Sequence, residues 1–109
     1  MRNIDSLKNS IQFKEVYNKG KSVANKLLVL YVYPQEGSKK LGISVSKKVG
    51  NSVVRHRTTR LIRQSYLAIK DSVPDGFHFV VIARSEAAGK KQQDIDEALR
   101  HLFKLQGLV

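Results

Sequence analysis

The spacing of apolar residues near the start of the chain predicts a short helix. Phe13, Val16 and Tyr17 recur at the i, i+3, i+4 interval that places side chains on one helical face. An Asn-Ser pair at positions 9–10 can cap this helix at its start, and Gly20 can end it. The first predicted element is therefore an amphipathic helix whose apolar stripe is partly aromatic.

The apolar runs that follow have other periods and predict strands. Residues 23–33 alternate and are rich in β-branched and aromatic side chains, which is typical of a strand. Its two faces carry Leu28, Leu30 and Val32 on one side and Leu27, Val29, Tyr31 and Tyr33 on the other. A polar, hairpin-like loop at 35–40 leads to a second strand at 41–46, one face of which is small and polar. Residues 77–83 are apolar on both faces, which favours a buried central strand.

Two further helices complete the pattern. Asn51 can cap a helix that extends to about Lys70, and another helix is predicted from about Lys90 to Gln106. On a wheel of about 100° per residue, the core stripe of the Asn51 helix comprises Val54, Leu61, Ile62, Ser65, Ala68 and Ile69. The predicted order is α-β-β-α-β-α. It favours an α/β (α+β) two-layer sandwich, with helices packed on one small sheet, and a single domain spanning residues 1–109.

Composition and charge narrow the classes of function. The chain has 109 residues and no cysteine, which excludes disulfides, thiolate nucleophiles and cysteine-based metal sites. No apolar run approaches the roughly 20 residues of a membrane span, and the N-terminal segment lacks the apolar stretch of a signal peptide. A cytoplasmic protein is the simplest expectation. The formal net charge of +11 and the pI near 10.1 favour a polyanionic partner, with nucleic acid ahead of an anionic membrane surface.

The positive charge is concentrated in an acid-free stretch. Between Glu36 and Asp71 there are nine Lys or Arg residues and no carboxylate. On the wheel of the Asn51 helix, the side opposite the core stripe carries His56, Arg57, Arg60 and Arg63. Arg55 lies at the edge of the stripe, while Val53 and Leu67 are apolar residues on the polar side.

Folding alone does not favour this arrangement of charge. Cations in the first turn of a helix oppose its dipole by ~0.3–1 kcal/mol each, and no acid on this helix offsets them. An external polyanion would offset this cost, and Arg supplies a planar fork for phosphate and for base stacking. An ordinary amphipathic helix with a solvated basic face is the alternative, and the missing acids count against it.

The residues also favour RNA over duplex DNA. The sequence contains neither a helix-turn-helix pattern nor dimerisation heptads. Aromatic rings occur on the first helix and the first strand, at Phe13, Tyr17, Tyr31 and Tyr33. Unpaired RNA bases stack on such rings. From spacing alone, core packing explains the first three of these rings equally well.

Several segments resemble the protein subunit of bacterial ribonuclease P. FKEVYNKGKSVANKLLVLY is similar to the first helix and strand of that family. LGISVSKKVGNSVVRHRTTRLIRQSY is similar to its arginine helix, with the approach KKVGN and the ladder Arg55, Arg57, Arg60 and Arg63. VVIAR and LRHLFKL are similar to its last strand and helix. The resemblance covers nearly the whole chain in the order, spacing and length of these segments.

The resemblance implies a fold and a function. The family fold is an α/β sandwich with a left-handed crossover between parallel strands, against the usual right-handed preference. The implied enzyme is a ribonucleoprotein endonuclease that removes the 5′ leader of precursor tRNA, and its Mg²⁺ ions are bound mainly by the RNA subunit. No protein side chain is then catalytic. The implied partners are the catalytic RNA and the precursor tRNA leader, with no membrane and no small-molecule cofactor.

The resemblance also assigns two sets of binding residues. The catalytic RNA would be contacted by Lys47, Lys48, Asn51, Arg55, His56, Arg57, Arg60 and Arg63. The leader would lie in a cleft between the first helix and the sheet, lined by Phe13, Tyr17, Val29, Tyr31 and Ser44. Ser44 would be the small residue that leaves room beside an aromatic ring. Two positions depart from the family pattern, because His56 stands where Asn is usual and Thr59 where Lys is frequent.

Other classes of function are weighed against this one. A protein-only nuclease needs a carboxylate cluster for metal ions or a His pair for acid–base chemistry. The clustered acids, Asp94, Asp96 and Glu97, begin the last predicted helix, where they favour its dipole, and the three histidines lie in three different elements. A ribosomal-type or generic RNA-binding or chaperone protein shares the charge and fold class, but it does not require KKVGN followed by the arginine ladder.

Overall fold

Seven main helices and strands follow one another in the computed structural model, which describes residues 4–109. In chain order they are α1 (Ser10–Lys19), β1 (Lys21–Ala24), β2 (Leu28–Pro34), β3 (Lys39–Ser44), α2 (Ser52–Ile69), β4 (Phe77–Ala83) and α3 (Gln92–Leu105). Single 3-10 turns follow α2 and β4, at Lys70–Ser72 and Ser85–Ala87. The predicted α+β class is confirmed, but the order is α-β-β-β-α-β-α, with one more strand than the sequence pattern indicates.

The additional strand arises because a turn interrupts the run at 23–33. The side-chain oxygen of Asn25 accepts hydrogen bonds from the backbone N–H groups of Leu27 (3.1 Å) and Leu28 (2.9 Å). The Asn25 N–H donates to the Leu28 carbonyl at 3.0 Å. Asn is suited to this because its side chain can bond to the backbone of a turn. The chain therefore reverses at Asn25, and β1 and β2 form an antiparallel hairpin. The adjacent polar residues Asn25 and Lys26 interrupt the apolar run at this turn, and they are the sequence signal that the single-strand prediction passed over.

β4 occupies an interior position in a sheet of strand order β1-β2-β4-β3. It pairs antiparallel with β2 and parallel with β3, which confirms the prediction of a central strand. The prediction of a hairpin-like loop at 35–40 is wrong, because β4 lies between the two strands that this loop joins. The N–H of Gln35 donates to the Gly76 carbonyl at 2.8 Å, which holds the loop across the start of β4.

The parallel neighbours β3 and β4 are connected through α2. This is the crossover that the resemblance implies, and its left hand stays a prediction. The outer edge of β3 is covered by the N-terminal segment: the Leu7 N–H donates to the Leu41 carbonyl (3.0 Å), and the Leu41 N–H donates to the Asp5 carbonyl (2.8 Å). Residues 1–3, part of the segment expected to lack signal-peptide character, lie outside the described residues.

Two apolar clusters hold the layers together. The larger lies between the sheet and the α2–α3 pair, and includes Leu28, Leu30, Ile62, Phe79, Leu99 and Phe103. The smaller lies on the opposite face of the sheet, where Val16 of α1 and Val80 of β4 are fully buried. The predicted faces of β2 are confirmed for Leu28, Leu30 and Val32 on one side and for Tyr31 and Tyr33 on the other. The prediction is wrong for Leu27, which precedes β2 in the turn and packs against the larger cluster. The sheet and the α2–α3 pair form the sandwich, and α1 covers part of the remaining face.

The buried side of α2 is rotated by roughly 40° from the predicted core stripe. Thr58 and Tyr66 are buried although the stripe omits them, whereas Ala68 is exposed and Leu61 is only half-buried. Thr58 can be buried because its hydroxyl donates to the Val54 carbonyl at 2.8 Å. The Tyr66 ring lies among core phenylalanines, with centroids 6.3 Å from each of two of them. Burial, with smaller effects of two carboxylates, raises the pKa of Tyr66 to about 12.

The helix starts follow the predicted caps. The Asn9 side chain accepts from the Gln12 N–H at 2.9 Å, and the Asn51 side chain accepts from the Val54 N–H at 3.0 Å. Each cap satisfies an N–H group that has no partner within its own helix. Within residues 4–109, none of the helices combines the length and the apolar character needed to span a bilayer.

Candidate nucleic-acid interface

α2 presents a row of basic side chains, three of them arginines, away from the sheet. His56, Arg57, Arg60 and Arg63 are all exposed, as the wheel predicts, and we call these residues the arginine face. Among residues 4–109, no carboxylate forms an ion pair with any of these side chains. Their charge is therefore left uncompensated within the described part of the chain, which suits a surface that binds an anionic partner.

One arginine of this face is anchored to a neighbouring element. Arg57 donates from Nη1 to the Lys90 carbonyl at 3.0 Å, just before α3 begins. α2 and α3 are also joined by Gln92, whose Nε2 donates to the Leu61 carbonyl (2.9 Å) and to Ser65 Oγ (2.8 Å). These contacts fix the orientation of the arginine face relative to the core.

The other residues predicted to contact the catalytic RNA occupy different environments. Arg55 is half-buried at the edge of the face, and its Nε is buried without a hydrogen-bond partner in the described structure. The Asn51 side-chain oxygen is occupied by the helix cap. Lys47 and Lys48 are exposed in the turn between β3 and α2. These two lysines therefore extend the cationic surface. The Asn51 side chain instead caps α2, as its position just before the helix predicts.

Three of the five predicted cleft residues, Phe13, Tyr17 and Tyr31, form one cluster of aromatic rings. The Tyr17 and Tyr31 rings meet edge to face with centroids 5.2 Å apart, and the Phe13 and Tyr17 centroids are 6.2 Å apart. All three side chains are half-buried. α1 supplies the first two rings and β2 the third, so the cluster lies between the first helix and the sheet, as expected.

The remaining cleft residues lie one step along the same sheet face. Val29 and Ser44 pair with Ile82 from opposite sides, in the row next to Tyr31 and Gly42. We call the surface formed by Phe13, Tyr17, Val29, Tyr31, Ser44 and Ile82 the aromatic cleft. Ile82 was not among the predicted residues. It joins the cleft because it pairs with both Val29 and Ser44, and its side chain is half-buried.

The position at which an aromatic ring meets the backbone of β3 is Gly42. A Cβ atom there would lie 2.6 Å from Cζ of Phe13, which is too close for a real side chain. Gly42 therefore leaves room for Phe13 to pack against β3. The resemblance assigns the space-making function to Ser44, which lies on the same face of the strand two residues further along, and that function stays a prediction.

The arginine face and the aromatic cleft adjoin at a small cavity. Thr59 and Arg63 of α2 line this space of about 140 Å³ together with Phe13 and Gly42. Arg63 therefore reaches the end of the cleft as well as the cationic surface. Thr59, the position where the family often has Lys, faces the same junction, and its hydroxyl donates to the Arg55 carbonyl at 2.9 Å.

The acidic residues of α3 have structural partners. Asp94 accepts from the Lys91 N–H at 3.1 Å, which caps the helix, and Asp96 accepts a hydrogen bond from Ser65 Oγ of α2. Among residues 4–109, no group of three or more His, Asp or Glu side chains is placed to hold a metal ion.

Comparisons with known proteins identify the family. A family model described as Ribonuclease P matches residues 1–106. The chain belongs to this family. The ribonuclease P protein component of Lachnoclostridium phytofermentans is 55% identical over 107 residues, with 96% of this chain and 91% of that protein covered. The component of Clostridium acetobutylicum is 46% identical, with 94% and 89% covered. The structure of the Staphylococcus aureus RNase P protein matches with a TM-score of 0.88 at 33% identity and covers 97% of this chain and 98% of that one.

Membership of the ribonuclease P family establishes the function at the level of the holoenzyme. The chain is a protein component of ribonuclease P, a subunit of an endoribonuclease that acts in the 5′ processing of tRNA. The fold supports the same conclusion, since the match to the S. aureus protein extends over nearly the whole chain. Which residues contact which RNA depends on the geometry of the arginine face and of the aromatic cleft.

Proposed function

We propose that the arginine face binds the catalytic RNA of ribonuclease P and that the aromatic cleft binds the 5′ leader of precursor tRNA. The observation that carries the first assignment is the uncompensated charge of α2. Arg60 and Arg63 form no hydrogen bond or ion pair within residues 4–109 and point away from the core. Guanidinium groups in this state can contact RNA phosphates without first breaking internal contacts. Lys47 and Lys48 extend this surface towards β3.

The cleft assignment depends on shape and chemistry together. A single strand offers flat bases and a charged backbone, and Tyr17 and Tyr31 offer rings that are only half covered. The sheet row of Val29, Ile82 and Ser44 continues the surface beyond these rings. Stacking of bases on rings tolerates any sequence, which suits a leader that differs from one precursor to the next. Arg63 at the junction cavity is placed to meet a phosphate where the two surfaces adjoin.

In this proposal the protein positions RNA and does not perform the chemistry. Mg²⁺, bound mainly by the RNA subunit, supplies the catalytic groups, and the protein residues orient the leader and hold the catalytic RNA. The described residues offer no metal cluster of their own. The partners are RNA alone, with no small-molecule cofactor and no membrane, and the protein acts in the cytoplasm with them.

Reconstitution tests the proposal. The purified chain, the catalytic RNA and both together are incubated with precursor tRNA in Mg²⁺, and processing at low Mg²⁺ is expected only with both present. Affinity of the chain for the catalytic RNA is measured over a series of salt concentrations, and it should fall steeply because phosphate contacts release counterions. Cleavage by the protein alone would contradict the proposal. Steep but equal affinity for unrelated structured RNAs, without stimulation of processing, would indicate a generic RNA-binding protein instead.

A further inference from the structure

Val53 is a residue of α2 that neither core packing nor charge explains. Its side chain is 74% exposed. It lies one helical turn from His56 and Arg57 and about two turns from Arg60, at the centre of the arginine face on a helical wheel. Single exposed apolar residues are common on protein surfaces. Val53 needs an explanation because it lies in the middle of a cationic surface. Helix propensity does not explain it either, because a β-branched residue does not favour a helix.

Val53 lies in a shallow depression of about 600 Å³. The residues that line it are Ser52, Val53, His56, Arg57, Arg60 and Leu61. The lining combines two apolar side chains, Val53 and the half-buried Leu61, with an imidazole and two guanidinium groups. Arg57 lies four residues from each apolar residue and so stands between them on the helix. Its guanidinium is held in place, because it donates to the Lys90 carbonyl at 3.0 Å. A guanidinium that is already fixed loses little further side-chain entropy when a flat ligand stacks on it.

We propose that this depression accepts one unstacked base of the catalytic RNA. The base contacts Val53 with its apolar face and stacks on the Arg57 guanidinium, while Arg60 meets a flanking phosphate. A phosphate alone gains nothing from contact with Val53 and Leu61, whereas an unpaired base combines a flat apolar face with an adjacent anionic backbone. The inference deepens the proposed function of the arginine face and depends on it. It adds recognition of RNA structure, an unpaired base at a fixed place, to attraction by charge.

The test replaces the apolar contact and keeps the shape of the side chain. Val53→Thr retains β-branching and exchanges one methyl group for a hydroxyl. The matched control is Ile11→Thr, because Ile11 on α1 is 77% exposed and lies outside both surfaces. We expect Val53→Thr to raise the Kd for the catalytic RNA about three- to tenfold. The slope of affinity against salt should not change, because no phosphate contact is lost. Ile11→Thr should change neither quantity.

Chemical probing of the RNA identifies the base directly. The wild-type protein should protect one unpaired base from a base-modifying reagent, Ile11→Thr should retain this protection, and Val53→Thr should lose it. If Val53→Thr matches the wild type in both affinity and protection, the base pocket is wrong. Arg60→Ala separates this failure from a failure of the proposed function. If Arg60→Ala weakens binding and lowers the salt slope while Val53→Thr does nothing, only the pocket fails; if neither variant has any effect, the arginine face is not the RNA surface.

Discussion

The arginine face is carried by one helix, whereas the aromatic cleft is assembled from α1, β2, β3 and β4. The four residues of the face lie between positions 56 and 63, while the cleft residues extend from Phe13 to Ile82. Helical periodicity alone therefore determines the geometry of the face. The geometry of the cleft is determined by strand order and register, which bring distant segments together.

The two surfaces also differ in their connection to the core. The side chains of the arginine face are exposed, and those of Arg60 and Arg63 have no partner within residues 4–109. The rings of the aromatic cleft are half-buried and pack around Val16 and Val80, which are fully buried. A substitution of Arg60 or Arg63 is therefore expected to change binding alone, whereas a substitution in the cleft changes binding and stability together. Experiments on the cleft, and on Arg57 with its hydrogen bond to Lys90, need a control for folding.

The largest expected effect comes from the buried side of α2. Ile62 is fully buried against the sheet, so Ile62→Ala should lower the free energy of unfolding by ~2–5 kcal/mol. Leu61→Ala should cost less, because Leu61 is only half-buried. Urea unfolding followed by circular dichroism measures both values. The affinity of the folded Ile62→Ala protein for the catalytic RNA should remain near that of the wild type, and a large loss of affinity there would mean that the two sides of α2 are not separable.

Arg60→Ala should weaken RNA binding and leave the stability of the fold nearly unchanged. The free energy of unfolding should change by no more than about 0.5 kcal/mol, because the exposed side chain has no hydrogen bond or ion pair to lose within residues 4–109. The affinity for the catalytic RNA should fall roughly tenfold at low salt, and the log–log salt slope should decrease by about 1. Titrations at several salt concentrations measure both quantities. Lower stability with unchanged RNA affinity would show that this face of α2 has a structural function.

The same comparison explains which parts could be predicted from sequence. The arginine face is a property of one helix, so a wheel was sufficient to find its exposed residues. The reversal at Asn25 was missed because its only local signal is the adjacent polar pair Asn25 and Lys26, and the turn is closed by a side chain. The burial of Thr58 and Tyr66 was missed because it depends on where α3 packs, which no local pattern contains. Ile82 joins the cleft through strand register, which hydropathy does not specify between strands distant in sequence.

Tyr17→Ala tests the cleft with a smaller expected effect. The Tyr17 ring lies against Tyr31 and is half-buried, so its removal takes away one stacking surface. Affinity of the reconstituted enzyme for precursor tRNA with a 5′ leader should fall by roughly tenfold or less, about 1.4 kcal/mol. Affinity for mature tRNA, which has no leader, should hardly change. Parallel binding titrations with the two RNAs measure the difference.

Tyr17→Phe is the matched control for this measurement. It keeps the ring and removes only the hydroxyl, so binding of the leader should stay close to that of the wild type. Thermal unfolding of both variants shows how much of any loss comes from the fold, since the ring also packs beside the small apolar cluster. Equal losses for precursor and mature tRNA would place Tyr17 in the core or at the interface with the catalytic RNA, and not in a leader-binding cleft.

The smallest expected effect concerns pH and the sheet beneath α1. His78 of β4 is buried on the same sheet face as Val80, and its Nε2 lies 2.8 Å from Ser38 Oγ. Burial lowers the pKa of His78 below its usual 6.5, the positive charge of Lys40 lowers it further, and Glu15 opposes the shift. Between the lowered pKa and 6.5 the unfolded chain binds more protons than the folded one. Stability should therefore rise with pH through this window and become constant above it.

His78→Gln should remove this contribution and keep a polar side chain at the position. Urea midpoints measured from pH 5 to pH 7.5 should rise less in the variant than in the wild type. The affinity of the arginine face for the catalytic RNA should be the same for His78→Gln and the wild type at pH 7.5, because His78 is in the sheet and not on α2. A variant with the full wild-type rise would show that folding does not change the pKa of His78.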